Sequence, residues 1–401
     1  MRKALISGAG IAGASAAYWL AKAGFEVTVV EQSPDTRSSD SPVDVRGSAV
    51  EVAERMGVMA RIRAADTRVR DMVFVNARER VVSRVNMRST WAESGDVELS
   101  RGELAAILRD AVPGGVEFQF GNSVTALTQD ADGVIADFAS GPARRFDIVI
   151  GADGAHSGVR ALAFGSETDY VKHLGVYVAT LPLEGETGTD LVMYNTPGRA
   201  VAIHPAGGHP GAAFMFRAPQ IEHFDHRDLE QHKRLLCAAY AGAGWRVPEL
   251  LDRVLAADDM YFDSVSRIQV PTWSRGRIAL VGDAASCVSL FGDGSSLAMI
   301  GAFTLANSLN GDIPTGLRMY EARHRPQRAA KENSVAYATR LLIPATTAGI
   351  VARNVAMHLM PMVNAAARLG MPRGKWHSRS PGLHSSRETS GLLEYSFAET
   401  R

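Results

Sequence analysis

The sequence predicts an α/β fold: a Rossmann-type dinucleotide-binding domain, an interleaved mixed β-sheet domain and a helical C-terminal region. Three observations lead there. Residues 3–31, KALISGAGIAGASAAYWLAKAGFEVTVVE, read as strand, glycine turn, helix, strand and carboxylate. Between about residues 165 and 270, short strand-like runs separated by turns replace that alternation. The chain then returns to an apolar strand at 277–281, runs into Gly282-Asp283-Ala284-Ala285, and continues in helical patterns.

The glycine turn is read residue by residue. Gly8 allows the tight turn after the first strand, Gly10 lets the backbone approach a pyrophosphate, and Gly13 lets the helix pack on the strand. The helix N-terminus, with Ile11 and Ala12 in its first turn, offers unpaired N–H groups and a positive dipole end to phosphates. Glu31 follows Gly8 by 23 residues, where a carboxylate reaches the hydroxyls of an adenosine ribose. The motif by itself does not separate NAD from FAD.

Farther along, residues 33–47 (SPDTRSSDSPVDVRG) read as a long polar loop, a kind that is uncommon unless it serves a site. Residues 48–56 read as a helix ended by Gly57. Alternating runs at 72–76 and 81–86 do not fit a simple Rossmann repeat. Ser100 and Glu103 form a capping box opening a helix to Val112. Strands are expected at 116–120, 124–128 and 134–138, the last two joined by the turn Asp130-Ala131-Asp132-Gly133. The second domain takes strands at 171–180, 191–194, 200–204, 212–217 and 262–268, interrupted by one amphipathic helix at 228–240. Helices are expected at 295–309 and 316–336. Residues 341–369 are apolar, but Pro344, Arg353, Asn354, His358, Pro361 and Arg368 argue against a membrane span.

The chain has 401 residues, which favours two associated domains. These are drawn as 1–165 with 271–310 (lending strands near 70–100 to the other sheet), 166–270, C-terminal helices at 311–375, and a polar tail at 376–401. Lys+Arg and Asp+Glu are both 43, so no global field draws in nucleic acid or an anionic membrane. The two cysteines, Cys237 and Cys287, form neither a CxxC pair nor a zinc cluster, and no metal site is expected. A reduced, cytoplasmic protein is the simplest reading, as a monomer or homodimer. Met1-Arg2-Lys3 before an apolar stretch superficially resembles a signal peptide, but the glycine punctuation fits a folded β-α-β unit better.

Three segments together resemble the class A flavoprotein monooxygenases, the group typified by para-hydroxybenzoate hydroxylase: GAGIAG at 8–13, GADGAHSGVR at 151–160, and VGDAAS at 281–286. The resemblance covers about residues 1–310. It implies FAD as cofactor, with NADPH or NADH as a transient reductant held in a surface groove, and dioxygen and a small aromatic molecule as co-substrates. It also implies that reduced flavin captures dioxygen as a C4a-hydroperoxide, then hydroxylates an aromatic or polycyclic natural product or antibiotic-like compound.

By the same resemblance, Asp153 and Arg160 lie near the flavin pyrophosphate and the nicotinamide. Arg101, in ELSRGEL, contacts the phosphate–ribityl region, and Arg46, in VDVRG, is the flavin-side loop arginine. On physical grounds Asp283, at a βα turn, can accept a hydrogen bond from a ribityl hydroxyl. Gly292, Gly294, Ser295 and Ser296 would bring N–H groups to the flavin N1–C2 edge, which becomes anionic on reduction. The sequence departs from the family after the GD motif: Ser286-Cys287-Val288-Ser289-Leu290-Phe291 lacks the customary histidine and proline pair. Met193, Tyr194, Phe214, Met215 and Phe216 are apolar candidates for a substrate pocket, with His204 and Arg217 as polar ones. Two alternatives keep the flavin but not oxygen transfer: a dehydrogenase or reductase, and a non-catalytic flavin-binding protein.

Overall fold

A computed structural model describes residues 1–34, 41–87, 95–185, 188–206, 210–287, 293–329 and 338–368. The strands in chain order are β1 (Lys3–Ser7), β2 (Glu26–Glu31), β3 (Pro42–Val45), β4 (Asp71–Val75), β5 (Val81–Asn86), β6 (Val97–Ser100), β7 (Glu117–Phe120), β8 (Val124–Gln129), β9 (Val134–Phe138), β10 (Arg144–Phe146), β11 (Ile148–Gly151), β12 (Val171–Pro182), β13 (Leu191–Thr196), β14 (Arg199–His204), β15 (Gly211–Arg217), β16 (Tyr261–Ile268), β17 (Ser274–Arg275) and β18 (Ile278–Leu280).

Two large sheets organise them. The first has the order β17-β18-β11-β1-β2-β7 and is parallel except at the β17 edge. Its central strands are buried on both faces, as their unbroken apolar runs require. The second has the order β16-β12-β15-β14-β13-β4-β5 and is antiparallel apart from the β13–β4 pair. β4 and β5 therefore leave the N-terminal region to extend the second sheet, which is why their alternation did not suit a Rossmann repeat. β8, β9 and β10 form a separate three-stranded sheet, with the Asp130 carboxylate accepting the Asp132 and Gly133 N–H groups in the turn.

The first helix, Ile11–Lys22, is alanine-rich, so it lies close on the later helix Asp293–Ser308, where Trp19 meets Phe303 edge-on at 4.8 Å. The helix Arg101–Asp110 opens on the Ser100 side of the expected capping box: the Glu103 N–H donates to Ser100 Oγ at 3.1 Å.

Three local expectations are corrected. Residues 42–45 are not loop but strand β3, pairing antiparallel with β6, because every other residue there is apolar or held by a partner. A short helix, Met59–Ala64, follows the one at Ser48–Arg55. In the 166–270 region a second long helix, Val247–Ala256, follows the expected one at Leu229–Tyr240, and a short one, Glu167–Tyr170, precedes the sheet. The helix Val247–Ala256 is announced by Pro248 in its first turn and the buried Val247, Leu250 and Val254. Among the described residues no helix is long and apolar enough to cross a membrane; Thr347–Arg368 is the C-terminal one.

The second sheet has two distinct faces. Tyr177, Ala179, Phe214 and Phe216 pack with Leu236, Tyr240 and Leu250 of the two helices. Val178, Met193, Ala213, Met215 and Val265 point the other way, toward a cluster that includes Ile343 and Met357. Cross-strand register explains the division: Val178 sits opposite Met215, and Tyr177 opposite Phe216.

Candidate active site

The three glycine-bearing segments meet. Gly8 has φ +102°, and a Cβ there would lie 2.5 Å from the Ala152 carbonyl oxygen. A Cβ on Gly13 would lie 1.9 Å from the Gly8 carbonyl oxygen, and one on Gly282 (φ +64°) would lie 2.8 Å from the Ala12 methyl group. Gly8 and Gly13 are required by backbone against backbone, and Gly282 by backbone against a side-chain methyl group. Gly10 differs: its φ of −73° suits any residue, and a Cβ there would meet nothing within 4 Å. The space in front of Gly10 belongs to a cavity, with Ile11 and Ala12 also on its wall. No side chain caps this helix N-terminus and no acid stands in its first turn, so its amides are left for an anionic ligand.

The remaining walls come from five places. Ala152, Gly154 and Ala155 follow β11; Asp283 and Cys287 follow β18; Gly294 and Ser295 open the helix Asp293–Ser308. Ser41, Pro42 and Val43 lead into β3 beside Arg101. Val178, Tyr261, Asp263, Ser264, Val265 and Ser266 belong to β12 and β16 of the second sheet. One cavity thus joins the dinucleotide-type cradle to the second sheet. The strand itself is expected from sequence at 262–268, but its place in the cavity wall is not, although the polar alternation in YFDSVSRI marks a strand with one wet face.

Glu31 is held at the end of β2: its carboxylate accepts the Ala9 N–H at 2.8 Å and the Ser33 N–H at 2.9 Å. Arg101 faces Asp283 across the cavity. Burial pushes the Asp283 carboxyl above the usual carboxylate range, while the Arg101 charge and a hydrogen bond with Cys287 pull it down. Asp153 turns inward. Its carboxylate accepts from the Val159 N–H at 3.0 Å, the Ser7 hydroxyl at 3.3 Å and the Ser157 hydroxyl, leaving the neighbouring Ala152, Gly154 and Ala155 to face the cavity. Arg160 is buried too. It donates to the Ala284 carbonyl at 3.2 Å and the Ala155 carbonyl at 2.6 Å, tying the second glycine segment to the third.

Arg46 and the serines form a second cluster. Ser295 and Ser296 donate their hydroxyls to the Asp44 carbonyl at 2.6 and 2.8 Å, and the Arg46 N–H donates to Ser296 Oγ at 3.1 Å. The Arg46 guanidinium pairs with Asp44 and lies 3.9 Å from Asp293. Gly292, and Val288 to Phe291 of the proline-free loop, lie outside the described residues. Asp44 stands opposite Glu98 in the β3–β6 ladder. Burial, countered by Arg46 and reinforced by Glu98 and Asp293, pushes its carboxyl up to about 7. The native Asp44 therefore keeps a proton that the unfolded chain releases near 3.8, and stability falls as pH rises between those values. Replacing Asp44 by Asn removes this dependence. In thermal melts, the D44N variant should gain on the wild type by up to ~3 kcal/mol on going from about pH 5 to about pH 8. A constant difference across that range would refute the buried-acid assignment.

Four of the seven pocket candidates read from sequence, Phe214, Phe216, Arg217 and His204, are placed away from the cavity wall. Phe214 and Phe216 are on the helix side of the second sheet, one residue out of step with the cavity face, and are core. Arg217 donates to the Ile343 carbonyl at 2.7 Å and the Thr339 carbonyl at 3.1 Å, fastening the C-terminal segment. His204 Nδ1 accepts the Ala206 N–H at 2.9 Å, and its Nε2 lies 2.8 Å from Glu98 Oε1. It is a buried partner of the acid cluster and not part of the cavity wall. Among the described residues no His/Cys/Asp/Glu group suits a metal ion.

Comparison with known proteins agrees with this geometry. The family model described as an FAD binding domain matches residues 1–330. A flavin-dependent monooxygenase of Legionella longbeachae is 32% identical over 336 residues, covering 80% of this chain and 84% of the relative. An uncharacterised protein of Mycobacterium tuberculosis is 38% identical over 333 residues, 80% of this chain and 89% of the other. Among solved structures, the tetracycline destructase Tet(51) superposes with a TM-score of 0.79 at 27% identity, covering 93% of this chain and all of the other (100%). Klebsiella pneumoniae HpxO, solved with FAD and uric acid, superposes with a TM-score of 0.71 at 23% identity over 92% of this chain and 96% of the other, a likeness of fold.

Proposed function

The chain belongs to the FAD-dependent monooxygenases, and from that premise we propose that it spends NADPH or NADH to hydroxylate a planar, electron-rich aromatic or polycyclic small molecule. The observation that carries the proposal is the continuity of the cavity from the Gly10 cradle to the sheet face bearing Val178 and Val265. A flat molecule laid on that face would be enclosed on one side by apolar strand residues and on the other by the cofactor. The likeness to the tetracycline destructases supports a polycyclic substrate.

The residues fit FAD. The Gly10 face and the helix amides of Ile11 and Ala12 would take the pyrophosphate, Glu31 the adenosine ribose, and Arg101 with Asp283 the ribityl region. When bound, FAD supplies a two-electron store that can react with dioxygen. The chain's part is to hold the ring edge at the N-terminus of the helix Asp293–Ser308, where the dipole favours negative charge, and to keep water off it with Val178 and Val265.

The test is a purified, FAD-loaded enzyme given NADPH or NADH and a panel of oxygenated polycyclic compounds under labelled dioxygen. Substrate-stimulated pyridine nucleotide oxidation, with one labelled oxygen in the product, is the expected result. Flavin reduction without label in any product would instead make the protein a reductase.

A further inference from the structure

His156 stands just after the cavity-lining Gly154 and Ala155, and neither the glycine turn nor the cofactor seat accounts for it. Its Nδ1 lies 3.0 Å from Glu167 Oε1 and its Nε2 lies 3.0 Å from Asp263 Oδ2. A neutral imidazole has one N–H and one lone pair, and a lone pair against a carboxylate oxygen at that distance is repulsive. Two carboxylates on the two nitrogens therefore demand an imidazolium that donates twice. The ring of His226 stacks parallel on it, with centroids 3.8 Å apart and an interplanar angle of 5°. Two stacked cations would repel, so His226 is the neutral member, and burial followed by the His156 charge depresses its pKa.

We propose that the His156 imidazolium is a positioning residue that clamps the segment Gly151–Gly158 to strand β16 by bridging Glu167 and Asp263, and thereby sets the width of the FAD seat. Asp263 itself lies on the cavity wall beside Tyr261, opposite Gly154 and Ala155, so the bridge spans two walls contributed by different sheets. The other charges around it are consistent with one cation at this point. Arg160 reaches Glu167 at 3.5 Å, while Asp225 and Arg227 flank His226. Burial works against the charge on His156, but the hydrogen bonds and charges of Asp263 and Glu167 outweigh it and push its pKa up to about 9. The clamp is therefore closed at neutral pH and opens as the pH rises through about 9.

The test reads FAD affinity and the histidine itself, without turnover. Flavin fluorescence would give the FAD dissociation constant of the wild type, H156Q, H156R and E167Q from about pH 7 to about pH 10. In the wild type, affinity should fall ~10-fold or more through a single-proton transition, and H156Q, with one donor, should be weak and flat from the outset. H156R keeps two-sided donation at every pH, so it should restore affinity and abolish the transition. Ionisation of the flavin itself is common to all variants and cancels between them. NMR titration of the His156 ring in the apoprotein should place its pKa well above the ordinary histidine value, and E167Q should lower it. Thermal melts show whether H156Q is folded; if it is not, the E167Q shift decides the matter alone. Wild-type affinity in a folded H156Q, a transition that survives in H156R, or ordinary titration of His156 would each overturn the proposal.

Discussion

Replacing Gly10 by alanine is expected to abolish FAD binding while leaving the fold as stable as before or slightly more so. The reason is that the position has an ordinary backbone conformation and nothing within 4 Å of an added methyl group. Alanine there only restricts the unfolded chain, worth roughly 0.4–1 kcal/mol in favour of folding. The methyl group projects into the space the pyrophosphate needs, and a loss of ~100-fold or more in affinity is expected, about 3 kcal/mol. Gly13→Ala should behave oppositely. Its methyl group would sit 1.9 Å from the Gly8 carbonyl oxygen, so helix and strand must part, costing ~3 kcal/mol or more before any cofactor is added. Thermal melts of the two apoproteins, paired with FAD titrations, separate these outcomes. Equal destabilisation by both variants would show that the Gly10 space is not reserved for a ligand.

The second large effect is expected at Arg160. The side chain is 1% exposed and is hydrogen-bonded to the carbonyls of Ala155 and Ala284, with Glu167 beyond. Burial lowers its pKa, yet an arginine stays charged at neutral pH. Arg160→Met keeps the bulk and leaves the Ala155 and Ala284 carbonyls without their donor, while Glu167 keeps His156, a loss of about 2–3 kcal/mol. Since Ala155 lines the cavity and Ala284 belongs to the Asp283 turn, FAD affinity should fall as well. Arg160→Lys, a point charge unable to fork to both carbonyls, should fall between. Calorimetry and flavin titration of the two variants check this; an R160M protein with wild-type melting would show that Arg160 does not tie the second glycine segment to the third.

What the sequence made legible follows from how local each signal is. The Gly8–Gly13 turn, its flanking strands and Glu31 lie within one β-α-β unit, so spacing alone located them. Asp153 and Asp283 were found by their βα-turn context, but their side-chain roles were not, because a carboxylate after a strand looks the same whether it faces a ligand or caps the next helix. Asp153 caps, through Ser157 and Val159. Phe214 and Phe216 fall on the core face for a related reason. Period-two alternation says which residues share a face, yet only the helices packed on the sheet say which face is core. Arg217 and His204 looked like free polar groups because their partners, Ile343, Thr339 and Glu98, are remote in sequence. β3 looks like loop in sequence because its ladder partner β6 begins more than fifty residues later.

The order of strands in the first sheet has a consequence for biosynthesis. β18 pairs with β11, which pairs with β1, and the bare backbone of Gly282 rests on Ala12. The chain must therefore emerge past about residue 285, with every strand of the second sheet already synthesised, before the first sheet and the Gly282 contact can form. Such long sequence separation makes for slow closure. A nascent chain halted after β11 would display the glycine turn with an open flank, since the wall that Asp283 and Cys287 supply is not yet made.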